Sequence, residues 1–144
     1  ELTMVDLNGE YIQPNPRPTS LKNQSIDIVK SFADPKRFTK TVHDTLKGSV
    51  AHLTPHPENV RNGDKSATPA AIVYPKYEQG VDSSLTELSK GESFLQMAEH
   101  SFNYAILGQT GFEALGRLHD KVDCYNFHYD GDIQQAIETM NALV

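Results

Sequence analysis

The sequence predicts a mixed α/β fold, α+β in character, with strands early and helices late. Three observations carry this. Residues 89 to 122, SKGESFLQMAEHSFNYAILGQTGFEALGRLHDKV, hold the longest apolar periodicity at three and four residues. Two β-prone runs flank Asn8-Gly9 near the start, a strong hairpin signal. CYNFHY at 124 to 129 alternates strictly, placing Tyr125, Phe127 and Tyr129 on one side of a half-buried strand.

The helical stretch reads as two consecutive helices. Ser89 with Glu92 forms a capping box, and Thr110 with Glu113 repeats it. Phe94, Met97, Ala98, Phe102, Ala105 and Ile106 share the first apolar face, and Gly108 fits its C-cap. Phe112, Leu115, Leu118 and Val122 form the second stripe. Phe94, Phe102, Phe112 and Leu115 are therefore expected inside.

In chain order, the hairpin over residues 2 to 12 is followed by QPNPRP, where prolines on both sides of Arg17 hold it in an extended path. SIDIVKSF at 25 to 32 reads as a short helix capped by Ser25, with Ile28, Val29 and Phe32 on one face. PKRFTKTVHD has no convincing period and is expected as a loop with at most one helical turn. VAHL is a short strand. Residues 58 to 69 are rich in turn formers and are expected as a mobile surface loop. AAIVY at 70 to 74 reads as a central strand buried on both faces and ended by Pro75; an extended LTEL follows. Asp130 is the expected cap of a last helix, with Ile133, Ala136, Ile137, Met140 and Val144 as its stripe.

With 144 residues, the chain is long enough for one compact domain and short for two. The start at Glu1, almost directly in a strand, is read as the edge of a fragment. The single cysteine, Cys124, allows no internal disulfide, and no apolar run approaches the roughly 20 residues of a membrane span. A cytoplasmic protein is expected. Charge is uneven. Residues 1 to 65 carry nine Lys/Arg against eight Asp/Glu, whereas residues 66 to 144 carry four against eleven. Between Arg17 and Lys47 seven basic residues face three acidic ones. That segment suits an anion, while the acidic half argues against nucleic acid.

No phosphate loop, dinucleotide fingerprint, paired-cysteine zinc spacing or nucleophile elbow is present in the sequence. His52 and His56 are four apart, but Pro55 and Pro57 argue against the helix that would converge them on a metal. His100 and His119 read as polar surface or as satisfied buried histidines. The remaining constellation is basic: Arg17, Lys22, and Lys47 beside Gly48. Arginine offers phosphate a planar fork and lysine a point charge, while a glycine lets amides approach an anion. Ser20, Asn23 and Ser49 are candidate additional donors. The alternative, ordinary turns with solvated lysines, weighs about the same.

PRPTSLKNQSI at 16 to 26, KGSVAHLTP at 47 to 55, AAIVYPKY at 70 to 77, LSKGESFLQMAEHSFNYAILGQTGFEALGRL at 88 to 118 and DCYNFHYDGDIQQAI at 123 to 137 together resemble the carboxy-terminal part of the HPr kinase-related kinases, the group called HprK-related kinase A. The resemblance implies a bacterial-type, ATP-dependent kinase with the phosphate-loop fold shared by HPr kinase and phosphoenolpyruvate carboxykinase, here present in part. It implies Mg and ATP as cofactors of the parent enzyme and a protein or peptide hydroxyl, on a small protein substrate, as acceptor. Arg17, Lys22, Lys47 and Ser49 become candidates for phosphate or acceptor contacts. Glu1 would lie near a magnesium-binding acidic cluster. The family's phosphate loop would lie upstream of Glu1, so this stretch alone is expected to be inactive, to bind no cofactor tightly, and to be prone to self-association. The rival expectation is a non-catalytic module that binds an anionic or acidic partner.

Overall fold

The computed structural model describes residues 2–143. In chain order its elements are β1 (Met4–Val5), β2 (Ile12–Gln13), β3 (Thr19–Lys22), α1 (Gln24–Lys30), a 3₁₀ turn (Pro35–Arg37), β4 (Val42–Thr45), β5 (Gly48–Leu53) and α2 (Pro57–Arg61). Then come β6 (Ala71–Tyr77), β7 (Ser84–Glu87), α3 (Lys90–His100), α4 (Tyr104–Leu107), α5 (Gln109–Lys121), β8 (Asp123–Tyr129) and α6 (Ile133–Asn141). Among the described residues this is a mixed α+β chain with three small sheets and six α-helices. No described helix is long and apolar enough to cross a membrane. The chain divides into two compact units, residues 2–4 with Gln13–Ser66, and Val5–Ile12 with residues 67–143.

In the first unit, β3, β5 and β4 form an antiparallel sheet in that order. Leu21 and Ala51 pair across β3 and β5, so their side chains share one face. Ile26 of α1 covers that face, with Val29, Phe38 and Leu53 around it. The helix stripe expected from Ile28, Val29 and Phe32 is therefore corrected: Val29 packs inward, whereas Ile28 and Phe32 are 51% and 62% exposed. Ser25 is not the cap. Asn23 holds that position, and the Ser25 hydroxyl turns back to the Lys22 carbonyl at 2.7 Å.

The PKRFTKTVHD run contains the one helical turn, begun by Asp34, which accepts from the Lys36 amide. It also contains β4, which the sequence reading missed because the strand is short, lies at the sheet edge and is irregular between Val42 and Thr45. The expected loop at 58 to 69 is likewise corrected at its start, which forms α2. His56 accepts from the Glu58 amide there and Pro57 occupies the first turn.

In the second unit the Asn8-Gly9 hairpin forms as expected. The Asp6 carboxylate accepts from the amides of Glu10 and Tyr11 at 2.7 and 2.9 Å. Gly9 has φ +66°, and a Cβ there would run into the carbonyl oxygen of Ala114 on α5. Glycine thus lets the hairpin tip lie on the helix, where Arg117 donates to the carbonyls of Asn8 and Leu7 at 2.8 and 3.0 Å.

The second unit's larger sheet has the order β6-β8-β7, with β6 parallel and β7 antiparallel to β8. AAIVY is consequently an edge strand, not a central one; β8 takes the centre. Pro75 does not end β6, which continues to Tyr77. An edge strand tolerates a proline because it has a ladder on one side only. The core joins Ile72, Leu118, Val122 and Cys124, with Val5, Tyr74, Leu88 and Met97 packed around them.

The helical stretch holds three helices rather than two. Ser89 caps α3 as expected, accepting from the Glu92 amide. The helix stops at His100 because Ser101 adopts an extended backbone and its hydroxyl bonds the Met97 carbonyl at 2.7 Å. Past that break the count of three and four no longer holds, and Phe102 is 86% exposed. Phe94 is half-buried, stacked edge-on to Phe112 at 5.2 Å. Gly108 ends α4 as expected and also opens α5, displacing the proposed Thr110 cap. The buried face of α5 is Gly111, Ala114, Leu115, Leu118 and His119; small residues at 111 and 114 turn it so that Phe112 sits on the flank, 58% exposed. Asp132, not Asp130, caps α6. Glu1 and Val144, named in the sequence reading, lie outside the described residues.

Candidate anion-binding site

Lys22 ends β3, and Lys47 precedes β5 in the turn from β4. The antiparallel register sets Lys22 opposite Val50 and joins Asn23 to Ser49, so both lysines come to one end of the sheet. The Asn23 amide donates to the Ser49 carbonyl at 2.9 Å, and the Asn23 side-chain oxygen accepts from the Ser49 amide at 3.1 Å. Gly48 makes this possible. Its φ of +80° favours glycine, and a Cβ there would meet the side-chain oxygen of Asn23. Asn23 itself has φ 50° and ψ -127°, a backbone state that side chains rarely adopt.

Alternation along the strands decides which side chains can cooperate. Lys22 shares the face of Val50, opposite the core face of Leu21 and Ala51. Ser49 lies on the core face, where its hydroxyl is 2.9 Å from His43 Nδ1. Ser49 and Lys22 therefore do not converge. Arg17 is five residues before Lys22 along an extended path, about 16 Å away, beyond the other end of β3. The structure brings Lys22 and Lys47 to one end and leaves Arg17 apart. All three cations are exposed, and among the described residues none has a carboxylate within salt-bridge distance.

Four backbone donors at this end are already used. Lys22 donates to Ser25 Oγ at 2.8 Å, Lys47 to Thr45 Oγ1 at 3.1 Å, and the amides of Asn23 and Ser49 to each other's residues. This end of the sheet thus offers an anion exposed lysines and no nest of free amides among these four. The expectation that Gly48 opens the backbone to an anion is corrected: its role is to admit the Asn23 side chain. Asn23 and Ser49 likewise serve as internal ties.

The described residues contain no group of three or more His, Cys, Asp or Glu able to hold a metal ion. His52 lies in β5 and His56 caps α2, which separates the pair noticed in the sequence.

His119 is the satisfied buried histidine that the sequence allowed, but the network it forms with Ser93 and Tyr74 in the second unit was not foreseen. Ser93 Oγ of α3 lies 2.9 Å from His119 Nε2 of α5, and both residues are buried, 0% and 3% exposed. His119 Nδ1 is 2.7 Å from the Leu115 carbonyl. A carbonyl only accepts, so Nδ1 carries the proton and Nε2 accepts from the serine hydroxyl. Tyr74 of β6 donates to the Ser93 carbonyl at 2.8 Å. Burial, outweighing the opposing effect of the neighbouring Ser93 hydroxyl, raises the Tyr74 phenol above its ordinary range. The available signal was position: residue 119 falls four after Leu115 on the buried stripe.

A separate open groove of ≈ 410 Å³ is lined by Glu87, Leu88, Ser89, Lys90, Asp123 and Cys124. Its lysine donates to the Asp120 carbonyl. Compared with known proteins, the chain matches no family model, no curated protein and no solved structure.

Proposed function

We propose that this chain forms the basic, phosphate-facing part of an ATP-dependent kinase related to HPr kinase, acting on a hydroxyl of a small protein or peptide in the cytoplasm. The supporting observation is the pair Lys22 and Lys47 at one end of the β3–β5–β4 sheet, exposed and without carboxylate partners among the described residues. The kinship itself rests on the five sequence stretches named above.

On this reading the two ammonium groups steer and hold phosphate oxygens through charge alone, because the nearby amides are bonded internally. Such contacts are weak and fall with salt. Kinases grip nucleotide phosphates with a glycine-rich loop and metal ions. Arg17, set apart from the two lysines, is the candidate for the acceptor. A second reading, a non-catalytic module for an anionic partner, is favoured by the internal bonding of the amides beside the two lysines, which leaves charge without oriented donors.

Calorimetry with Mg-ATP separates the two. The 144-residue chain is expected to bind weakly, and a chain extended upstream through a phosphate loop to bind tightly. In the longer chain, Lys22→Ala or Lys47→Ala lowers turnover more than stability. Equally tight binding by both overturns the divided site, and binding by neither favours the module.

A further inference from the structure

The helices α3 to α5 leave large apolar side chains in solvent: Phe102 and Ile106 are each 86% exposed, Leu95 66% and Phe112 58%. Between residues 91 and 116 the chain carries Glu92, Glu99 and Glu113 and not one lysine or arginine. Arg117, one turn on, pairs with Glu113 at 3.6 Å. Exposed apolar side chains and acidic residues thus share one stretch of chain that lacks lysine and arginine. Exposed apolar surface of this kind marks an interaction site.

The first unit carries the opposite. Ile28 and Phe32, four residues apart on α1 and the turn that continues it, are exposed. Residues 22 to 40 around them hold five basic side chains, Lys22, Lys30, Lys36, Arg37 and Lys40, against Asp27 and Asp34.

We propose that a second copy of this chain is the partner, with the Ile28/Phe32 face of one molecule seated on the Phe102/Ile106 face of the next. Charge selects this pairing. Two acidic stretches repel each other, as do two basic ones, whereas basic against acidic attracts and fixes orientation. The contact is heterologous, because each copy offers a different face, and it closes into a ring or extends into a chain according to the rotation between copies. Lys22 is common to this inference and to the phosphate-contact reading, but the substitutions that test the pairing leave Lys22 and Lys47 in place, so the two fail separately.

Sedimentation velocity of the 144-residue chain from roughly 1 µM to 1 mM tests this. The expected result is concentration-dependent association that weakens as sodium chloride rises. Phe102→Ser and Phe32→Ser should each abolish it. Mixing the two variants should restore a one-to-one complex, since each retains the face the other has lost. Both positions are exposed, so the fold is kept; circular dichroism checks this, and Ile106→Ser with Ile28→Ser repeats the test at neighbouring positions. A monomer throughout overturns the proposal. So does association that survives both substitutions, loss in only one variant (a face pairing with itself), or failure of the mixture to form the complex.

Discussion

The turn at Gly48 sets up a test of how the candidate site is held. Gly48→Ala introduces two costs that the structure keeps apart. A left-handed backbone at a residue with a Cβ costs roughly 1–2 kcal/mol. The new methyl also meets the Asn23 side-chain oxygen, which must leave the Ser49 amide. A lost hydrogen bond of this kind is worth about 0.5–1.5 kcal/mol. The single substitution should therefore destabilise the first unit by about 2–3 kcal/mol. In an Asn23→Gly background there is no side chain to displace, and glycine suits the backbone at position 23. There Gly48→Ala should cost only the backbone part, leaving a coupling of about 1 kcal/mol. Urea unfolding followed through the Ala51 amide in β5 reads the first unit directly. Equal costs in the two backgrounds would show that Asn23 and Gly48 do not act as one turn.

Two further outcomes follow from burial. Leu118→Ala, at a side chain 2% exposed, should cost about 2–5 kcal/mol, whereas Phe102→Ala should shift the urea midpoint little; a large loss at Phe102 would mean the ring is covered. For Tyr74, the folded-state pKa is raised, so the unfolded chain releases its proton first as pH passes 10.0 and stability falls there while staying flat below. Tyr74→Phe should remove part of that alkaline loss, and ultraviolet titration should show one of the six tyrosines ionising late; six simultaneous titrations would contradict the buried phenol.

Much of the local structure was legible where one residue type answers one need. Asn8-Gly9 gave the hairpin, Ser89 the start of α3, and CYNFHY gave β8, although Cys124 and Phe127, on opposite faces of that strand, are both buried where the alternation implied one buried side. The failures share a cause: they depend on what packs against the element. Period alone could not tell that Ser101 would bond its own helix and throw Phe102 outward, or that Gly111 and Ala114 would turn α5 away from Phe112. AAIVY carried the apolar run of a central strand but had only β8 beside it. At the candidate site, residue type suggested contacts, yet strand parity placed Ser49 and Lys22 on opposite faces, and parity is knowable only once the register is fixed.

The two polar clusters show why chemistry requires access as well as geometry. Ser93 and His119 have the hydrogen bond of a nucleophile and its base, with the imidazole tautomer fixed by Leu115. They are sealed in the second unit, so the bond joins α3 to α5 while Tyr74 ties β6 to the same point. A buried hydroxyl or imidazole left without its partner costs about 1–3 kcal/mol, which makes the network a clasp. Lys22 and Lys47 are the converse case. They are open to any anion, but the amides that would give shape to the site are spent on holding the turn together. Charge without shape attracts many phosphates and orients none. A phosphoryl transfer that uses these lysines must therefore take its orientation from groups other than this turn.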